Sequence, residues 1–167
     1  QGAEIYQCVR VTDLLLQPAG GWRVLLENKD TQEQHEIHAE HVVNAGGLWA
    51  REVGRMVGLE LPVLAMEHMY LLTEDMPEVA TFNKEKGREI PHAVDFDGEL
   101  YLRQEQMGML MGTYEKACKP WSPKETPWDF GQDLLPPDLD RIAPSLEVGF
   151  KHFPAFENAG IKKVING

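Results

Sequence analysis

Cysteine is scarce in these 167 residues: Cys8 and Cys118 are the two that occur, far apart and at no metal-ligand spacing. Neither a disulfide framework nor a zinc module is organised around them. They read as buried or idle thiols of a reducing compartment, with a single long-range disulfide left open. Positive charge is also short, 16 Lys and Arg against 27 Asp and Glu, for a net charge of −11. That balance argues against non-specific attraction to nucleic acid or to an anionic membrane surface. No apolar run approaches the roughly 20 residues of a membrane helix, and no basic stretch followed by an apolar one opens the sequence. The nucleotide-binding patterns G-x-G-x-x-G and G-x-x-x-x-G-K-[ST] are missing, as are internal repeats and low-complexity runs.

What is present is a globular composition, 43% hydrophobic and 26% charged, long enough for a packed domain. The most organised stretch is 42–58, VVNAGGLWAREVGRMVG. Two β-branched residues run into Asn44, Ala45, Gly46 and Gly47, and an amphipathic segment follows from Leu48 to Gly58, so it reads as strand, tight turn, helix. Paired glycines permit positive φ and close approach of the backbone to something bulky. On the helix Trp49, Val53, Met56 and Val57 share an inward face, while Arg51, Glu52 and Arg55 turn to water. Upstream, 4–16 and 22–28 are rich in strand formers and separated by Pro18, Gly20 and Gly21, which makes a β-meander returning to the glycine turn. His35, His38 and His41 do not make a metal site on an extended strand. His38 faces away from the other two, which lie about 20 Å apart, so they read as solvent-edge residues.

Beyond Gly58, 63–73 reads as a strand, 82–88 as a charged surface loop, and 93–96, 99–104 and 109–114 as three strands with an Asp97-Gly98 hairpin between the first two. Five of the eleven prolines fall in 119–137, which excludes regular structure there. A helix carrying Leu139, Ile142, Leu146 and Phe150 fits 137–150, kinked at Pro144, and 159–167 reads as a last strand. The fold class is α+β, with a boundary near residue 60: 1–60 as meander and strand-glycine-helix, 61–167 as a mostly antiparallel sheet with a flanking helix. Neither end carries a polar tail, which suggests a segment of a longer protein.

Four side chains of the second part can carry chemistry. His68 and Tyr70, two apart on one strand, share a face, and Tyr101 with Arg103 does the same on another. A lone strand histidine is more often a hydrogen-bonded core residue than a catalyst, and Tyr101 can equally be a core aromatic. Arg103 can meet a substrate carboxylate through its planar fork or simply sit at the surface.

VVNAGGLWAREVG followed by EHMYLLT resembles the D-amino-acid-oxidase-type flavoproteins, most closely the dimethylglycine dehydrogenase and sarcosine dehydrogenase branch. The resemblance runs from the meander to the final VING. It implies a partial FAD-binding domain over 1–60 and a substrate-binding sheet domain over 61–167. Val11, Gly46, Gly47 and Trp49 would be cofactor-binding, and His68 and Tyr101 catalytic, with Tyr70, Thr73 and Arg103 in the substrate pocket. The implied reaction is oxidation of dimethylglycine or sarcosine with hydride transfer to FAD. The electron acceptor would be an electron-transfer flavoprotein or oxygen, and folate could be used by a domain outside this chain. Such a segment alone would be inactive, and its location would be the mitochondrial matrix in a eukaryote or the cytoplasm in a bacterium. A non-catalytic regulatory protein on the same fold, like the regulatory subunit of pyruvate dehydrogenase phosphatase, is the other reading.

Overall fold

The structure is a computed structural model that describes residues 2–167. It divides into two compact units, one of residues up to 63 together with 124–128, the other of 64–123 together with 129–167.

In the first unit β1 (Val9–Leu16), β2 (Trp22–Asn28) and β3 (Gln34–Ala39) form an antiparallel sheet in that order. Gly20 and Gly21, at φ +92° and +77°, turn the chain between β1 and β2. Leu14 and Val24 face each other and are both buried. The first strand is shorter than expected. Val9 pairs with Asn28, the last residue of β2, so residues 4–8 have no strand opposite them. Cys8 and Cys118 are free and exposed rather than buried. Asp30 beside Cys8 accepts a hydrogen bond from its thiol and repels the thiolate, holding that thiol above its ordinary range.

The segment 41–46, expected to begin as a strand, joins no ladder, and Val43 is 86% exposed. A 3-10 turn (Gly47–Trp49) leads into α1 (Ala50–Arg55), which ends sooner than Gly58. Its inward face is also different from the expected one: Arg51 and Glu52 are buried, and only Arg55 turns outward. The reason lies in a distant segment. Residues 124–128 pack here, with Thr126 N donating to Glu52 Oε1 at 2.8 Å, Arg55 Nη1 to Lys124 O at 2.9 Å and Trp49 Nε1 to Pro127 O at 2.8 Å. The Arg51 guanidinium, at 3.1 Å, shares the same carboxylate oxygen, so the charges are taken from water as a pair.

The second unit holds β4 (Met69–Thr73), α2 (Pro77–Lys86), β5 (Ala93–Asp95), β6 (Leu100–Glu105), β7 (Gly108–Thr113), α3 (Leu139–His152) and β8 (Ile161–Asn166). Its antiparallel sheet has the order β5-β6-β7-β4-β8. Two expectations need correction. The strand expected over 63–73 is regular only from Met69, with Met66 making a single bridge to Pro120. Residues 82–86, read as loop, complete α2, which has Pro77 at its start, Glu78 in the first turn, Lys84 and Lys86 in the last, and Gly87 at φ +64° closing it. Only Val79 of α2 is buried, so helix signals at its ends were present without an apolar stripe.

One face of the sheet is core. Met69, Leu71, Leu100, Leu102, Met109 and Met111 are buried there with Ile142 and Leu146 of α3. Pro144 lies inside α3 and is exposed, on the side away from that core. Gly149 lets helix and sheet close, since a Cβ there would stand 2.7 Å from Met111 Sδ.

Truncating the fully buried Ile142 to Ala should cost about 3 kcal/mol in denaturant unfolding. Acid should also weaken the fold. Burial pushes the carboxyls of Glu52 and Glu67 up, but hydrogen bonds outweigh it: Thr126 N–H, its own N–H and Arg51 for Glu52, and Arg141, Lys119 and Asn166 for Glu67. Both are therefore held below the ordinary 4.5, so their contribution is complete above that pH and is lost as pH falls through the lower folded values. Unfolding curves from pH 6 to about 3 should show this decline. The decline should be smaller in E52Q.

Candidate functional site

Successive residues of a strand point to opposite faces, and the register of the second sheet turns that rule into a site. Tyr70 of β4 lies opposite Gly112 of β7, and Gly112 opposite Tyr101 of β6. These form one row on the face away from the core, and Gly112 leaves its middle without a side chain. A Cβ at 112 would stand 1.9 Å from Tyr101 Cζ, so the phenol ring lies directly over the β7 backbone. His68 precedes β4 rather than sitting inside it. Its N–H and C=O nevertheless pair with Gly167, at 2.8 and 3.1 Å, which continues the ladder and keeps its side chain on the Tyr70 face.

The imidazole of His68 and the ring of Tyr101 are stacked, 6.4 Å between centroids at 16°. Tyr114 completes a triangle, 6.3 Å from His68 and 5.3 Å from Tyr101, and His92 meets Tyr101 edge-on at 6.0 Å. Beside the imidazole lies Glu115, its carboxylate 3.5 Å from His68 Nδ1. Burial, followed by the neighbouring Tyr114 and Tyr70, pushes the Tyr101 hydroxyl above its ordinary 10, against the pull of Arg103. The phenol is thus a neutral donor at physiological pH. Arg103 shares the face but pairs at 2.7 Å with Glu105, both partly exposed, so its fork is already engaged.

The structure therefore brings His68, Tyr70 and Tyr101 together. Tyr114, Glu115, His92 and Gly112 were not picked out in the sequence. A glycine inside a strand, one residue before its end at Thr113 and followed by Tyr114 and Glu115, was the available signal.

In the first unit, the glycine turn has its own geometry. Gly46 N donates to Asn44 Oδ1 at 3.1 Å, and a Cβ on Gly46 would be 3.0 Å from that oxygen, so this glycine is required by the turn itself. Gly47, at φ +52°, would carry a Cβ into open space. With the exposed run at 41–45 beside it, an uncovered, Cβ-free corner results, which fits the close approach of a flat cofactor. Val11 is half-buried in β1 next to a bulge, and the Trp49 indole is held by Pro127 O. His35 and His38 alternate on β3 and are exposed, while His41 lies past its end.

An imidazole beside a buried carboxylate, flanked by phenols on an open sheet, is equipped to move a proton on a small polar ligand. The profile of the FAD dependent oxidoreductase family, DAO, matches residues 1–167. The chain belongs to that family. It is 39% identical over 99% of its length to the mitochondrial dimethylglycine dehydrogenase of Mus musculus, covering 18% of that protein. It is 28% identical to the mouse mitochondrial sarcosine dehydrogenase over its full length and 17% of that protein. The mouse mitochondrial pyruvate dehydrogenase phosphatase regulatory subunit is 33% identical over 80% of the chain and 15% of its own length. The chain thus spans less than a fifth of the curated relatives it matches.

Gly112→Ala should dislodge the Tyr101 ring. Stability should fall by about 1–3 kcal/mol, and nuclear Overhauser contacts between the rings of Tyr101 and His68 should disappear.

Proposed function

We propose that this chain supplies the substrate-facing sheet of an FAD-dependent amine dehydrogenase or oxidase, and that the substrate is a small N-methylated glycine, dimethylglycine or sarcosine. The observation that carries this reading is the cluster of His68, Tyr101 and Tyr114 on one sheet face, in a chain 39% identical to a dimethylglycine dehydrogenase. FAD, when bound, supplies a two-electron acceptor for the hydride equivalent leaving the carbon next to nitrogen. Val11, Gly46, Gly47 and Trp49 are the residues that would hold it.

The remaining work belongs to side chains. An N-methylated amine is an ammonium in neutral water and has no lone pair to push toward a breaking C–H bond. His68 takes that proton: the N–H bond breaks, a proton settles on the imidazole, and the electron pair stays on the amine nitrogen. Tyr101, protonated and fixed over Gly112, donates a hydrogen bond that orients the substrate, with Tyr70 beside it. Arg103 receives the substrate carboxylate only by exchanging Glu105 for it, which makes it the least committed member. The imine product is hydrolysed or passes its one-carbon unit to folate held elsewhere, and an electron-transfer flavoprotein or oxygen reoxidises the enzyme. Mitochondrial location in a eukaryote follows from the same kinship.

The product of the whole gene should be yellow and should bleach anaerobically on adding dimethylglycine or sarcosine. His68→Gln and Tyr101→Phe should keep the colour and lower kcat by about a hundredfold. A colourless product that no N-methylated glycine affects would contradict this reading. It would favour instead a regulatory role like that of the pyruvate dehydrogenase phosphatase subunit.

A further inference from the structure

Glu115 has no role in the reaction as described so far, yet its side chain is only 3% exposed. Carboxylates are rarely buried so deeply without a purpose or a partner. One oxygen, Oε1, accepts from Met69 N at 3.3 Å and from the Thr113 hydroxyl at 3.1 Å, and Thr113 is itself fully buried. The other, Oε2, is left facing His68 Nδ1 at 3.5 Å. The carboxylate is thus gripped from β4 and β7 and aimed at one nitrogen of the imidazole.

We infer that Glu115 is a positioning residue that fixes the tautomer of His68. A carboxylate only accepts, so at 3.5 Å its charge favours the proton on the nitrogen that faces it. Neutral His68 then carries its proton on Nδ1, and the lone pair is on Nε2, the nitrogen turned away from the carboxylate. This inference rests on the proposed amine oxidation, in which Nε2 becomes the atom that accepts the ammonium proton. The imidazolium formed in that step is neutralised by Glu115, and no other charge need move. The other titratable groups around His68 are Tyr101 from β6 and Tyr114 beyond β7, with His92 behind Tyr101. None of them is a carboxylate.

Glu115→Gln separates charge from shape. The amide oxygen must stay on the fixed Met69 N–H, because the amide nitrogen there would set donor against donor. The NH2 group is then presented to His68 Nδ1, which becomes an acceptor, and the ring proton moves to Nε2. Long-range proton–nitrogen spectra of the 167-residue chain labelled with 15N-histidine should show neutral His68 as Nδ1–H in the wild type and as Nε2–H in E115Q. In the whole gene product, E115Q should lower kcat about a hundredfold with KM changed less than about threefold, since the base is mis-protonated while the face is intact.

A wild-type Nε2–H tautomer, which is read without any variant, would overturn the inference, as would an E115Q spectrum unchanged from the wild type. An unchanged kcat in E115Q would overturn it as well. If the wild-type product oxidises no N-methylated glycine while the tautomers behave as stated, the proposed reaction fails and the positioning of His68 by Glu115 stands.

Discussion

At Gly112 the central strand β7 carries no side chain, and the ring of Tyr101 occupies the space a Cβ would need. The opposite face of the same strand is equally tight: Met111 fills the gap that Gly149 leaves in α3. β7 is therefore pressed from both sides by groups that a single methyl would displace. Interiors transmit such constraints because they are close-packed. The strict alternation of the strands does the rest, sending Met69, Leu71, Leu100 and Leu102 to the helix and His68, Tyr70 and Tyr101 to the open face. Stability and the proposed chemistry are thus two sides of one sheet, and the register that buries the core residues exposes the candidate site.

The first unit is governed by a different constraint, the burial of charge. Glu52 is ionised inside the unit because Arg51 and the Thr126 amide both meet it. Breaking such a group strands a charge, which is costly, whereas its formation ties 124–128 to α1. The neighbouring run at 41–46 has the opposite character. It joins no ladder, residues 41–45 are exposed, and a Cβ on Gly47 would meet open space beside a helix that is firmly held.

Much of this could be read from the residues, and the misreadings have physical causes. The meander β1-β2-β3, the β5-β6-β7 succession, α3 around Pro144 and β8 follow from local signals: turn glycines, alternation and an apolar stripe. The face of α1 could not, because its burial is decided by a segment some seventy residues away in sequence. α2 was missed because its evident signals sit at its ends while its surface is polar. His68, Tyr70 and Tyr101 were legible from their spacing and their kinship. Glu115 and Tyr114 were not, since only the pairing of β7 with β4 and β6 carries the residues just past Thr113 to the His68 imidazole and the Tyr101 ring.

In the proposed reaction the face bearing His68 and Tyr101 looks onto the substrate and, beyond it, a flavin ring. A crystal structure of the whole gene product with FAD and trimethylglycine tests it most directly, because a quaternary nitrogen has no lone pair and the ligand cannot be oxidised. The ligand should lie between the isoalloxazine ring and these two side chains, its methylated nitrogen nearest His68. A structure in which another part of the polypeptide covers that face, or in which the ligand lies elsewhere, would contradict it.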